Sequence, residues 1–147
     1  MKLRQYQSKD CGGMSELFYD TVHTVNRRDY TEEQVCAWAD GHVDPDVWNR
    51  SFLEHFTVIA EDNGTLVGFG DMAKDGYLDR LYVHRDHQGK GIGRALWEYL
   101  LQNSDNRRFT VNSSPAAVDF YHALGFADLD TEQLRGGIRY TPMQFER

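Results

Sequence analysis

The stretch Leu81-Tyr82-Val83-His84-Arg85-Asp86-His87-Gln88-Gly89-Lys90-Gly91-Ile92-Gly93-Arg94-Ala95-Leu96 decides how the rest of the chain is read. An apolar strand runs into a polar turn, then into alternating glycines, then into an amphipathic helix. Ile92, Ala95, Leu96, Tyr99 and Leu100 fall at i, i+3, i+4, i+7 and i+8, so a helical face begins inside the glycine run. Glycines placed there keep side chains away from a helix N-terminus, where unpaired N–H groups and the positive end of the helix dipole gather. Such a terminus is an anion site, most naturally one for phosphates. A Walker A loop is excluded, because no Lys-Ser/Thr pair follows the last glycine. The dinucleotide fingerprint fails as well, since Gly89, Gly91 and Gly93 have the wrong spacing and sit in mid-chain.

Upstream of this stretch, Phe56 to Ala60 reads as a strand, Asp62-Asn63-Gly64 as a turn and Leu66 to Gly70 as the next strand. Lys74-Asp75-Gly76 turns again into Tyr77 to Val83, which predicts an antiparallel meander ending at the glycine loop. Before the meander, Lys2 to Tyr6 alternates like a strand, and Asp10 or a neighbour caps a helix with Met14, Leu17, Phe18, Val22 and Val25 inside. Thr31-Glu32-Glu33-Gln34 is a capping-box sequence for a second helix. Asp44-Pro45 starts a third, carrying Val47, Trp48, Phe52 and Leu53. Downstream, Arg108 to Asn112 is a strand and Ser114-Pro115 opens a helix that Gly125 stops. Phe126 to Leu129 and Ile138 to Phe145 close the chain as strands, joined by a polar loop through Gly136-Gly137.

A chain of 147 residues with 40% hydrophobic and 27% charged content is expected to be one soluble domain over residues 1–147. Its formal net charge of −7 argues against a nucleic-acid partner, which would want a basic face. An acidic surface is compatible with a cationic substrate, though many proteins are acidic for solubility alone. Cys11 and Cys36 form no C-x-x-C pair and read as reduced thiols. With no leader-like or membrane-spanning run in the sequence, the expectation is a cytoplasmic protein without a membrane partner. The histidines, His84 and His87 included, lack a ligand-spaced Cys or carboxylate constellation, so no metal site is expected.

Gln88-x-x-Gly91-x-Gly93 resembles the Q/R-x-x-G-x-G/A signature of the GCN5-related N-acetyltransferases. A second stretch, Asn112 to Phe126 with Ala117-x-x-Phe120-Tyr121-x-x-x-Gly125-Phe126, resembles that family's closing motif. The element order is similar to the family's from end to end. It implies an α/β fold, a mixed and mostly antiparallel sheet flanked by helices. Thr31 to Asp40, with its Tyr30-Thr31-x-Glu33-Gln34-x-x-Ala37-Trp38-Ala39 pattern, resembles a small bacterial subgroup of uncharacterised acetyltransferases and names no substrate.

The resemblance implies acetyl-CoA as co-substrate and a small-molecule or peptide amine as acceptor, with direct attack in a ternary complex. Family members are often dimers, so the resemblance allows a homodimer, while the residues themselves do not give the oligomeric state. By the same resemblance, backbone N–H groups of Gln88, Gly89, Lys90, Gly91, Ile92, Gly93 and Arg94 would hold the pyrophosphate. The backbone of Leu81, Tyr82 and Val83 would pair with the pantetheine arm, and Asn112 and Phe120 would belong to the same site. Asn112 has an alternative as a cap for the helix at Ser114-Pro115.

Tyr121 would be the general acid for the departing thiolate, its phenol being a proton donor, while its helical spacing equally suits a packed aromatic. Asp79 would be the base or an attractor of ammonium, against a strand-end charge paired with Arg80; His84 is the alternative base by its intrinsic pKa. Tyr30, Trp38, Trp48 and Phe52 are either acceptor-pocket residues or core aromatics. Rival functions are another acyl-CoA, an O-acceptor, or a CoA-binding sensor without turnover.

Overall fold

Strand β1 (Lys2–Gln5) leads through a single 3-10 turn, Ser8–Asp10, into helix α1 (Cys11–Thr24). Asp10 holds this entry. Its Oδ2 accepts from the Gln7 N–H at 2.8 Å and its carboxylate takes both guanidinium nitrogens of Arg4 at 2.7 and 2.8 Å. Met14, Leu17, Phe18 and Val22 are buried at the spacing that the sequence predicts. The computed structural model describes residues 1–24, 31 and 44–147; Val25 and the second-helix reading, with Tyr30 and Trp38, lie outside them.

Helix α2 (Pro45–Glu54) starts as expected, with Pro45 in the first turn and the Asp44 side chain accepting from the N–H groups of Asp46 and Val47. Its inner face is narrower than expected. Phe52 is core and Trp48 packs against that core, whereas Val47 and Leu53 are exposed.

The meander follows as β2 (Phe56–Asp62), β3 (Thr65–Met72) and β4 (Tyr77–Val83), antiparallel throughout and longer by a few residues than the first two apolar runs suggest. After the glycine loop come α3 (Ile92–Gln102), β5 (Arg108–Ser113) and α4 (Val118–Leu124), the last preceded by a 3-10 turn at Pro115–Ala117. Gly125 ends α4 in the left-handed conformation, φ +102°.

Two expectations at the C-terminus are corrected. The strand read over Phe126 to Leu129 shrinks to β6 (Ala127–Asp128), and the polar loop contains a further strand, β7 (Gln133–Arg135), paired with β8 (Ile138–Glu146). Gly136 and Gly137, both at positive φ, form the two-residue hairpin turn between them.

The sheet order is β1-β2-β3-β4-β5-β8-β6, with β7 added to β8, and β4–β5 is its parallel pair. Each face buries its own cluster. On one face Leu96, Trp97 and Leu100 of α3 pack with Val58, Leu78, Phe109 and Met143; on the other Met14 and Phe18 of α1 and Phe52 of α2 pack with Ile59 and Phe69. A Cβ on Gly68 would come within 3.1 Å of the Tyr82 carbonyl and 3.2–3.3 Å of Ile92 and Leu96, so the missing side chain lets α3 seat closely on β3. Among the described residues, no helix is long and apolar enough to cross a membrane.

Candidate active site

The site begins with a break in β4. Along this strand Leu81 and Val83 pack toward α3 and Tyr82 toward α1, the ordinary alternation of a strand. Leu78 also faces α3, three positions before Leu81, which a regular strand does not allow. The register explains it. Asp71 and Met72 are adjacent on β3, yet they pair with Arg80 and Leu78, so Asp79 is the extra residue of a β-bulge.

The bulge coincides with the end of the parallel ladder. β4 and β5 pair at Tyr77↔Thr110 and Leu78↔Val111, and beyond that point the strands separate. Between them opens a cleft of about 530 Å³. Its walls are Leu78, Asp79 and Leu81 to Val83 on one side, Val111 to Ser114 on the other, with the glycine loop at one end and Phe120 and Tyr121 of α4 closing it.

The glycine loop presents backbone to this cleft. Gly91 caps α3 in the left-handed conformation, φ +79°, where a side chain is strained. A Cβ on Gly89 or Gly91 would meet nothing within 4 Å, so both positions face open space. The first backbone bond of α3 runs from the Ala95 N–H to the Gly91 carbonyl at 3.0 Å. The N–H groups of Ile92, Gly93 and Arg94 lie ahead of it, the usual orphan donors of a helix start. Gly93 serves packing instead, because a Cβ there would stand 3.0 Å from Phe120 and its absence lets α4 close on α3. Gln88 ties the loop back to the strand, its Nε2 donating to the Val83 carbonyl at 2.6 Å.

These features fit coenzyme A. A bare backbone cradle at a helix N-terminus suits a pyrophosphate, and the stretch of β4 parted from β5 leaves a strand edge that can pair with an amide-bearing arm. Of the residues expected to hold it, Leu81, Tyr82, Val83, Gln88, Gly89, Gly91, Ile92, Gly93, Arg94, Asn112, Phe120 and Tyr121 all line the cleft; Lys90 does not. Asn112 does not cap the following helix. Its Nδ2 donates to the Tyr77 hydroxyl at 3.4 Å.

Asp79 and Tyr121 line the same cleft. Tyr121 is buried, and burial pushes its phenol up, with the neighbouring Tyr77 adding to the effect. It is therefore a neutral donor at physiological pH. His84 has another role: its Nδ1 accepts from the Asp86 N–H and caps the 3-10 turn Arg85–His87, and the residue does not line the cleft.

Asp79 has company that the sequence did not announce. Behind it lies Asp71, fully buried, whose Oδ2 is 2.6 Å from Arg80 Nη1 and 2.7 Å from His55 Nδ1. Asp79 Oδ2 stands 3.7 Å from Arg80 Nη2 and 4.0 Å from His55 Nδ1. Burial pushes the Asp71 carboxyl up while its two bonded partners pull it down, and Asp71 in turn raises His55 above the ordinary imidazole value. Ligand atoms of His55, Asp71 and Asp79 fall within 4.8 Å of one another, and the cation seated among them is the Arg80 guanidinium. Arg80 is further fixed by Ser51 Oγ at 3.1 Å and by the rings of Phe52 and Trp48, 4.6 and 5.0 Å from its central carbon. The signal available in sequence was a charged pair, Asp79-Arg80, inside an apolar strand. Its partners Asp71 and His55 come from other strands and connections.

The family model described as "Acetyltransferase (GNAT) domain" matches residues 26–147. The L-methionine sulfoximine/L-methionine sulfone acetyltransferase of Salmonella typhimurium is 30% identical over 86% of this chain and 80% of its own length. Among solved structures, a GCN5-related N-acetyltransferase from Rhodopseudomonas palustris superposes with a TM-score of 0.92 at 26% identity, over 99% of this chain and 95% of that one. The PaiA N-acetyltransferase of Thermoplasma acidophilum, solved in complex with coenzyme A, shares the fold at 19% identity, with a TM-score of 0.83 over 99% of this chain and 98% of that one. On these matches, and with the glycine-loop and closing motifs both set around one cleft, the chain belongs to the GNAT family of acetyl-CoA-dependent N-acetyltransferases.

Proposed function

We propose that this enzyme acetylates a primary amine by direct attack in a ternary complex, with Asp79 on the acceptor side and Tyr121 at the leaving group. One observation carries the reading: the β4 bulge turns Asp79, and α4 turns Tyr121, into the one cleft that the glycine loop also opens onto. Acetyl-CoA supplies the activated acyl group as a thioester. The Gly89 to Arg94 backbone holds its phosphates and the edge of Leu81 to Val83 its arm. The acceptor, arriving as ammonium, first gives one proton to Asp79, directly or through water, which frees the lone pair that attacks; its second proton passes to solvent as the N–C bond forms. As the C–S bond breaks, the Tyr121 phenol donates its proton to sulfur and recovers one from solvent. Among the described residues no cysteine lines the cleft, which supports direct transfer over an acetyl-enzyme. Proximity does the remainder, since both reactants are held in one groove.

The acceptor is an amine that arrives as ammonium, because the carboxylate of Asp79 is the charged group facing it. The Salmonella relative, named for acetylating the amino-acid analogues methionine sulfoximine and methionine sulfone, makes amino acids the first class to try. The test is continuous thiol release from acetyl-CoA with methionine sulfone, other amino acids, polyamines and short peptides as acceptors. Turnover on any of them supports the reading and ranks the acceptors. Acetyl-CoA binding without turnover on the whole panel would sink it in favour of a CoA-binding sensor, and turnover confined to alcohols or to a longer acyl-CoA would redirect it.

A further inference from the structure

The cluster behind Asp79 contains two carboxylates, one guanidinium and one imidazole in a single contact group. Asp71 Oδ1 has no hydrogen-bond partner among the described residues, so its charge is met only through Oδ2, by His55 and Arg80. Arg80 is a permanent cation, clamped between Asp71, Ser51 and the rings of Trp48 and Phe52. His55 is the member that changes charge near neutrality. Its Nδ1 is engaged by Asp71, while its side chain keeps one-fifth of its surface exposed, so Nε2 can exchange protons without breaking that bond. The charged groups facing it are Asp71 from β3 and Asp79 and Arg80 from β4.

We propose that His55 is a positioning residue for the acceptor: its proton, held beside Asp71, sets the net charge that an arriving ammonium meets at Asp79. This rests on the reading above that Asp79 faces the acceptor. With His55 protonated, the two positive and two negative groups cancel. With His55 neutral, Arg80 is the cluster's one cation against two carboxylates, which leaves one net negative charge, and the neutral imidazole stands 4.0 Å from Asp79 Oδ2. A cationic amine is then attracted to the carboxylate of Asp79. The substrate class follows. The enzyme favours acceptors that are ammonium ions in solution, and loses affinity for them as pH falls through the His55 transition. Because Asp71 raises that transition, the loss starts at a higher pH than a free imidazole would give. An acceptor already neutral in this range, such as aniline, escapes the effect.

The decisive measurement is an NMR titration of the His55 imidazole in the free enzyme, assigned by loss of its resonance in His55→Gln. The expected result is a lower midpoint in Asp79→Asn than in the parent, with Asp86→Asn as an unaffected control. Propylammonium chloride should also lower the parent midpoint relative to sodium chloride at equal ionic strength, because bound cation and bound proton exclude one another. That second shift should vanish in Asp79→Asn. In turnover, His55→Gln should abolish an acid-side rise of about tenfold in the amine KM, the size expected for coupling of one pK unit, while the acetyl-CoA KM stays fixed. An identical His55 midpoint in parent and Asp79→Asn would overturn the proposal, as would equal midpoints in the two salts. Neither NMR result requires catalysis. Absence of turnover with both shifts present therefore counts against the acetyl-transfer reading and not against the charge coupling.

Discussion

On one flank of the cleft, the site is a single run of chain, Gln88 to Arg94, in which Gly89 and Gly91 leave open space where side chains would stand. On the other flank it is an assembly of side chains, His55 after α2, Asp71 from β3, and Asp79 and Arg80 from the bulge. On the proposed reading, the first flank binds by shape and dipole, through backbone that does not titrate. The second holds buried charge and responds to pH. On that reading, the cofactor is met by the part with least chemical individuality and the acceptor by the part with most.

Tyr121 stands where the two flanks meet, and its removal should have the largest effect on rate. Tyr121→Phe keeps the aromatic packing against Phe120 and Phe126 and deletes only the hydroxyl. Turnover should fall by about 10²–10⁴-fold, the usual worth of a general acid, with acetyl-CoA affinity measured by calorimetry unchanged. Equal turnover in both proteins at every pH would leave Tyr121 as packing alone.

Next comes Asp71→Asn, which breaks the acceptor flank from inside. Removing one partner of a buried charge cluster costs on the order of 3–5 kcal/mol, here because Arg80 and His55 lose their common anion. Denaturant unfolding should register that loss. The share carried by His55 has a definite sign: its folded pKa is raised, so that share is fully present below the ordinary imidazole value and disappears as pH rises through the raised one. The gap between the parent and Asp71→Asn should therefore narrow across that window. A gap independent of pH would mean that His55 is not coupled to Asp71 as the 2.7 Å contact implies.

Gly91→Val tests the cofactor flank in the same way. A β-branched residue at φ +79° costs about 1–2 kcal/mol in strain, and its methyls would occupy the open space facing the cleft. Acetyl-CoA affinity should drop by roughly 100-fold, equivalent to about 2.7 kcal/mol. The His55 titration should not move. Movement there would show that the two flanks are mechanically joined.

The same contrast explains what could be read in advance. The cofactor flank was legible because its parts are adjacent: strand, glycines and helix follow in one stretch, and each glycine reports a local need for open backbone. Asp44-Pro45 was legible for the same reason, a cap and a first-turn proline side by side. The hairpin β7–β8 was legible in principle, since Gly136-Gly137 is a two-residue turn, but Gln133-Leu134-Arg135 has one apolar residue in three, too short a run to show an alternation. The pairing of His55 with Asp71 had no local signature. Sixteen positions separate them, and the contact exists only because β2 and β3 run antiparallel. The bulge was equally silent, since nothing in Tyr77 to Val83 marks Asp79 as the unpaired residue.

Gln88 sharpens the contrast at its weakest point, for it is a loop residue whose side chain, and not only its backbone, is engaged. Its Nε2 holds the Val83 carbonyl at 2.6 Å, closing the polar turn between strand and helix. The bond is exposed, so deleting it in Gln88→Ala should cost about 0.5–1.5 kcal/mol, seen as at most about a tenfold loss of acetyl-CoA affinity. The amine KM should not change, because the Gln88 side chain is tied to Val83 and not to His55, Asp71, Asp79 or Arg80. Gln88→Glu should do more harm than Gln88→Ala, since a carboxylate would repel both the Val83 carbonyl and an incoming phosphate. If Gln88→Ala instead matched the loss in Gly91→Val, the loop would owe its shape to this one tether, and the cradle would be a side-chain device after all.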